Sequence, residues 1–91
     1  MLLYRAGPIT VRSRLPGDSI RFTGGTKQLK KLFIDRKIPA ASRHRIPVIA
    51  DSRGVLAVHG FGTNPDLEDK SLPPVRIRIE KITDTEEKEN A

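Results

Sequence analysis

Apolar and polar residues alternate along Ile9-Thr10-Val11-Arg12-Ser13-Arg14-Leu15, the period of a strand with one face in a core. Ile9, Val11 and Leu15 are expected inward, with Arg12 and Arg14 toward water. Pro16-Gly17-Asp18 then turns the chain, because Pro fixes φ and Gly supplies a positive φ. Ile20-Arg21-Phe22 reads as a short extended piece. Gly24-Gly25-Thr26 punctuates it and opens a helix from about Lys27 to Arg36 or Lys37, with Thr26 as the expected N-cap. Leu29, Leu32 and Phe33 form its apolar stripe, while Lys27, Lys30 and Lys31 lie largely opposite. Pro39 ends this helix and serves as the first residue of a second, short one reaching about Arg45. Pro47 stops that one.

Val48-Ile49-Ala50 and Val55-Leu56-Ala57-Val58 are nearly all apolar, as strands inside a core are, and Asp51-Ser52-Arg53-Gly54 joins them as a hairpin loop. Residues 60–74 read as loop. Val75 to Ile82 alternates again and predicts a strand, and residues 84–91 are a polar tail without periodicity, expected to be disordered. The order strand, helix, short helix, hairpin, strand predicts a small α+β domain with a mixed or antiparallel sheet over residues 1–83.

Charge changes the picture more than composition does. The chain has 91 residues, no Cys and a net charge of +6. Residues 1–45 hold eleven Lys and Arg against two Asp and Glu, whereas residues 46–91 hold six against nine. A half that basic attracts polyanions, nucleic acid first. The cations come in clusters: Arg12, Arg14 and Arg21, then Lys27, Lys30 and Lys31, then Arg36 and Lys37, then Arg43 and Arg45. All of these but Arg36 are candidate RNA contacts, Arg for bidentate phosphate binding and Lys as point charge. With only four aromatic residues, one of them in the helix stripe, the chain suits a duplex read through its backbone and shape more than a single strand.

Other chemistries find less support. A chain this short buries roughly 60% of its unfolded surface and has little room for a catalytic cleft. Zero Cys excludes thiolate chemistry, and two His without metal-ligand spacing leave no zinc site. Gly24-Gly25-Thr26-Lys27 is not a P-loop, although the backbone of Gly24, Gly25 and Thr26 before a helix could seat one phosphate of a larger molecule. Asp18 and Asp35 would make a hydrolase pair only if they shared a cleft. No apolar run approaches the ~18 residues that span a bilayer, and Met1 to Arg5 is too short for a signal segment, so no membrane partner and a cytoplasmic location are expected.

Three ordered segments resemble one family. Val11-Arg12-Ser13-Arg14-Leu15-Pro16-Gly17-Asp18 is similar to the V-R-x-R-x-P-G-D opening of the C-terminal domain of tRNA(Ile)-lysidine synthetase. Gly25 to Pro39 resembles that domain's G-x-K-x-L-K-x-x-F-I-D-x-K-I-P, and Arg43-His44-Arg45-Ile46-Pro47-Val48 resembles the R-x-R-x-P-(V/L) that follows. The resemblance covers residues 9–62; Asn64 to Pro74 has no clear counterpart, and Ala57 stands where Trp is frequent. It implies a parent ligase that uses ATP and magnesium to attach lysine to the wobble cytidine of a minor isoleucine tRNA. It implies an N-terminal catalytic domain with an S-G-G-x-D-S loop that this chain lacks, and a parent that could form a homodimer. The fold implied is the small sandwich-like α+β domain shared with the phenylalanyl-tRNA synthetase β subunit. The fragment itself would hold no cofactor and would grip the tRNA acceptor stem. The alternative is a structural docking or dimerisation domain without direct RNA contact.

Overall fold

The computed structural model of the chain describes residues 1–80. From the N-terminus it runs β1 (Leu2–Tyr4), β2 (Thr10–Arg12), β3 (Ser19–Phe22), β4 (Gly25–Gln28), α1 (Leu29–Asp35) and α2 (Ala40–Arg43). It continues with β5 (Val48–Asp51), β6 (Gly54–Val58), β7 (Gly62–Thr63), a 3-10 turn (Pro65–Leu67) and β8 (Pro74–Arg76).

The antiparallel sheet β2-β5-β6-β7 is the middle of three layers. Its two central strands are apolar on both faces because both faces are covered. Val48, Val55 and Val58 pack with Ile20 and with Leu29, Leu32 and Phe33 of α1. Ile49, Leu56 and Ala57 pack on the other side with Leu3, Val75 and Ile77, beneath the antiparallel pair β1-β8. The antiparallel pair β3-β4 completes the α1 layer. Leu56 and Ala57 are neighbours yet share one layer. The register explains this: Ile49 pairs with Ala57 and Ala50 with Val55, so Leu56 is the extra residue of a β-bulge. The α+β class and the β5–β6 hairpin are as the sequence predicts, with Gly54 at φ +129° closing the loop.

Four expectations change. Gly25–Gln28 is a strand, not the start of the helix: Phe22 pairs with Gly25 and Ile20 with Lys27. Helix α1 therefore begins at Leu29 behind Gln28, and Thr26 caps nothing. The Leu29 N–H instead donates to the Asp18 carbonyl at 2.9 Å. The second helix spans four residues, with Pro39 at its N-cap. The inward and outward phase of β2 is also reversed. Val11 lies opposite Ile49 but on the edge strand, 57% exposed, while Arg12 lies opposite Val48 and turns inward. Residues 77–79 keep the predicted alternation, with Ile77 and Ile79 half-buried, but the ladder to β1 is complete by Ile77, whose N–H donates to the Met1 carbonyl. Met1 to Arg5 contains β1. Ile82 and the tail expected at 84–91 lie outside the described residues.

A partly buried ion pair fastens the central sheet to the β1-β8 layer. The Asp51 side chain has no exposed surface and accepts from Arg53 Nη2 at 2.8 Å and from the Ala6 N–H at 2.9 Å. Arg53 also donates to the carbonyls of Tyr4 and Leu67. One guanidinium thus ties the β5–β6 loop to the end of β1 and to the 3-10 turn, satisfying carbonyls that would otherwise lie half-buried and unpaired.

Candidate nucleic-acid interface

Arg12-Ser13-Arg14 assigns three side chains to three tasks. Arg12 forms a bidentate pair with Asp18, 2.7 and 3.2 Å, closing the loop that Pro16 and Gly17 turn. Burial pushes the Asp18 carboxyl up. The Arg12 and Leu15 hydrogen bonds and the Arg12 and Arg14 charges outweigh it and hold it below the ordinary carboxylate range. Ser13 Oγ donates to the His44 carbonyl at 2.6 Å, tethering the loop to the end of α2. Arg14, between them, forms no ion pair among the described residues.

The tethered loop puts Arg14 at a junction. Arg14, Gln28 and Lys30 line one shallow groove with Pro16, Gly17 and Asp18. Arg14 also lines a second groove with Ala40, Arg43 and His44. Helix α1, the β2–β3 loop and α2 thereby place Lys30, Arg14 and Arg43 along two grooves that share Arg14. Arg43 Nε donates to the Ile38 carbonyl at 2.9 Å, which fixes its side chain along the α1–α2 connection. Ser42 and Arg45 lead on to a third depression shared with His59, Ile79 and Glu80. Lys31 and Lys37 are exposed on and just beyond α1.

The other candidates are partnered. Arg12 belongs to the loop clamp and is largely withdrawn from solvent. Lys27 pairs with Asp35, whose carboxyl the Lys27 hydrogen bond and charge hold below the ordinary range. Arg21 pairs with Asp66 at 2.8 Å, both more than half exposed. An exposed pair of this kind is worth little and exchanges readily for another anion. Gly24, Gly25 and Thr26 turn and begin the β3–β4 hairpin, so the helix-start phosphate seat read from the sequence is not formed. Asp18 and Asp35, each ionised beside its own cation, do not make an acid/base pair. Among the described residues no group of three or more His, Cys, Asp or Glu could hold a metal ion. His44 and His59, which the sequence offers only as two His without metal-ligand spacing, line these grooves; the signal for His44 lay in its neighbours Arg43 and Arg45, and His59 had none.

Residues 9–79 match the family model described as the TilS substrate C-terminal domain. The chain belongs to this family. The match runs past the segments that carry the visible motifs and takes in Asn64 to Pro74. The TilS C-terminal domain fold is also that of its structural neighbour, a crystal structure of a TILS C-terminal domain. That neighbour superposes with a TM-score of 0.58 at 37% identity, over 69% of this chain and 55% of that one. Among curated relatives, the tRNA(Ile)-lysidine synthase of Exiguobacterium sibiricum is 54% identical over 54 residues, covering 58% of this chain and 13% of that protein. The tRNA(Ile)-lysidine synthase of Clostridioides difficile is 37% identical over 78 residues, 84% of this chain and 17% of that protein. The TilS C-terminal domain described here thus spans less than a fifth of the length of these relatives. None of the helices in the described residues is long and apolar enough to cross a membrane.

Proposed function

We propose that this domain is the tRNA-gripping C-terminal module of a tRNA(Ile)-lysidine synthase, acting beside a catalytic domain that carries the ligase chemistry. The observation that carries the reading is the pair of grooves joined at Arg14. Lys30, Arg14 and Arg43 come from three separate elements and meet along one surface. Shallow, open and cationic, it suits the backbone of an RNA duplex better than a small molecule. Lys31, Lys37 and Arg45 extend it, while Arg12, Lys27 and Arg21 act in the fold or as secondary contacts. The relatives are tRNA(Ile)-lysidine synthases, which supports that tRNA as the partner, and its acceptor stem is the duplex proposed here.

The test is fluorescence anisotropy of the chain with an RNA acceptor-stem duplex. Arg14→Ala and Lys30→Ala should each weaken binding across duplex sequences and reduce the salt dependence by about one contact. Unchanged affinity in the double variant would remove the grip from this surface. The docking reading has its own observation, since Val11 and Leu15 are 57% and 51% exposed on and after the edge strand. It predicts instead that Val11→Ser and Leu15→Ser change self-association or binding to a catalytic domain and leave RNA affinity untouched.

A further inference from the structure

Helix α1 ends in a backbone conformation that its sequence does not favour. The Lys37 N–H donates to Ile34 and the Ile38 N–H to Phe33, both at 2.9 Å, the paired bonds of a Schellman motif. The left-handed residue of that motif is ordinarily Gly, but here it is Lys37, at φ +57°. Immediately before it, Arg36 lies with its guanidinium carbon 5.2 Å from the centroid of the Phe61 ring. Phe61 is partly buried and packs against Phe33 of the core, ring centroids 5.6 Å apart at 49°. Arg36 is exposed and forms no ion pair among the described residues. Its cation therefore lies beside an aromatic ring and stays open to solvent. The Arg43 bond to Ile38 links this spot to the basic grooves two residues further on.

We infer that Arg36, backed by Phe61, is a stacking seat for an unpaired nucleobase that adjoins the bound duplex, such as the single-stranded 3′ end of an acceptor stem. The inference rests on the proposed RNA grip and adds a contact of a different kind. The grooves would hold phosphates, whereas an exposed guanidinium plane beside a ring offers a surface for a base. The chain has few aromatic residues, and an arginine beside a partly buried one supplies the missing platform. The strained Lys37 beside it provides a cation where the nucleotide's phosphate would lie, which accounts for a Lys at a position suited to Gly.

The experiment compares two RNAs, a blunt acceptor-stem duplex and the same duplex with a 3′ single-stranded extension carrying 2-aminopurine. The extension should tighten binding to the wild-type chain by about 5- to 150-fold, as stacking of a base does, and binding should quench the 2-aminopurine. Arg36→Lys keeps the charge and loses the plane. It should bind the blunt duplex as the wild type does, but lose the gain from the extension and the quenching. Phe61→Leu should behave alike if its thermal unfolding remains cooperative, and Arg36→Lys, at an exposed site, decides the matter without it. Equal binding of both RNAs by the wild type, or an undiminished gain in Arg36→Lys, would overturn this inference and leave the phosphate grip standing. Failure of the wild type to bind either RNA would overturn the grip and this seat together.

Discussion

Lys37 is where stability and binding conflict most visibly. A non-Gly residue held in the left-handed region costs roughly 1–2 kcal/mol. Lys37→Gly should therefore raise the unfolding free energy by about 1 kcal/mol in a urea titration, and it should weaken RNA binding because a cation leaves the surface. A variant that is both more stable and equally tight would show that the charge at this position does nothing. Asp18 makes a second prediction. Its carboxyl titrates lower in the folded chain than its ordinary value, so its contribution is complete above that value, near pH 4, and disappears as pH falls through the folded one. Asp18→Asn should cost about 1.5–3 kcal/mol at pH 7, and the gap from wild type should close as the pH is lowered below about 4. A gap independent of pH would mean that the Arg12–Asp18 charge interaction is not what closes the loop. The sequence shows Arg12 and Asp18 plainly, six residues apart in a familiar run, but not that they pair. Alternation assigned Arg12 to water, and the carboxylate that draws it inward is brought round only by the Pro16-Gly17 turn.

At the scale of elements, what could be read depended on whether the evidence for an element was local. The α1 stripe and the β5–β6 hairpin were legible because Leu29, Leu32 and Phe33, and the two apolar runs around Gly54, declare their period within a few residues. Strands β1 and β4 were not. Each is three or four residues long, and each exists because of a partner, β8 across most of the chain in one case and β3 across a tight turn in the other. Gly24-Gly25 punctuates equally well before a helix or inside a hairpin, and the pairing of Ile20 with Lys27 decides between them. The tether between Ser13 and the end of α2 belongs to this scale too. Ser13→Ala removes one hydrogen bond that holds the Arg14 loop against α2, so RNA affinity should fall by about 2- to 10-fold with the cooperativity of unfolding retained. Wild-type affinity in Ser13→Ala would mean that Arg14 needs no such positioning.

For the molecule as a whole, the charge asymmetry of the sequence, eleven cations against two carboxylates in residues 1–45, does not say which cations the fold leaves without an acidic partner. Of nine cations proposed from clustering, the fold withdraws Arg12 and gives Lys27 and Arg21 carboxylate partners. The remaining Arg14, Lys30, Lys31, Lys37, Arg43 and Arg45 form no ion pair among the described residues, and His44 lines the same groove as Arg14 and Arg43. No linear pattern sorts these two groups, because the sorting depends on which carboxylates the loops bring within reach. Counting the contacts is therefore the most direct test. A titration of the chain with an acceptor-stem duplex, repeated over a range of salt concentrations, measures how many phosphates it neutralises. Six contacts predict a log–log slope of roughly −5; a slope near zero would mean that the domain does not hold RNA by its backbone.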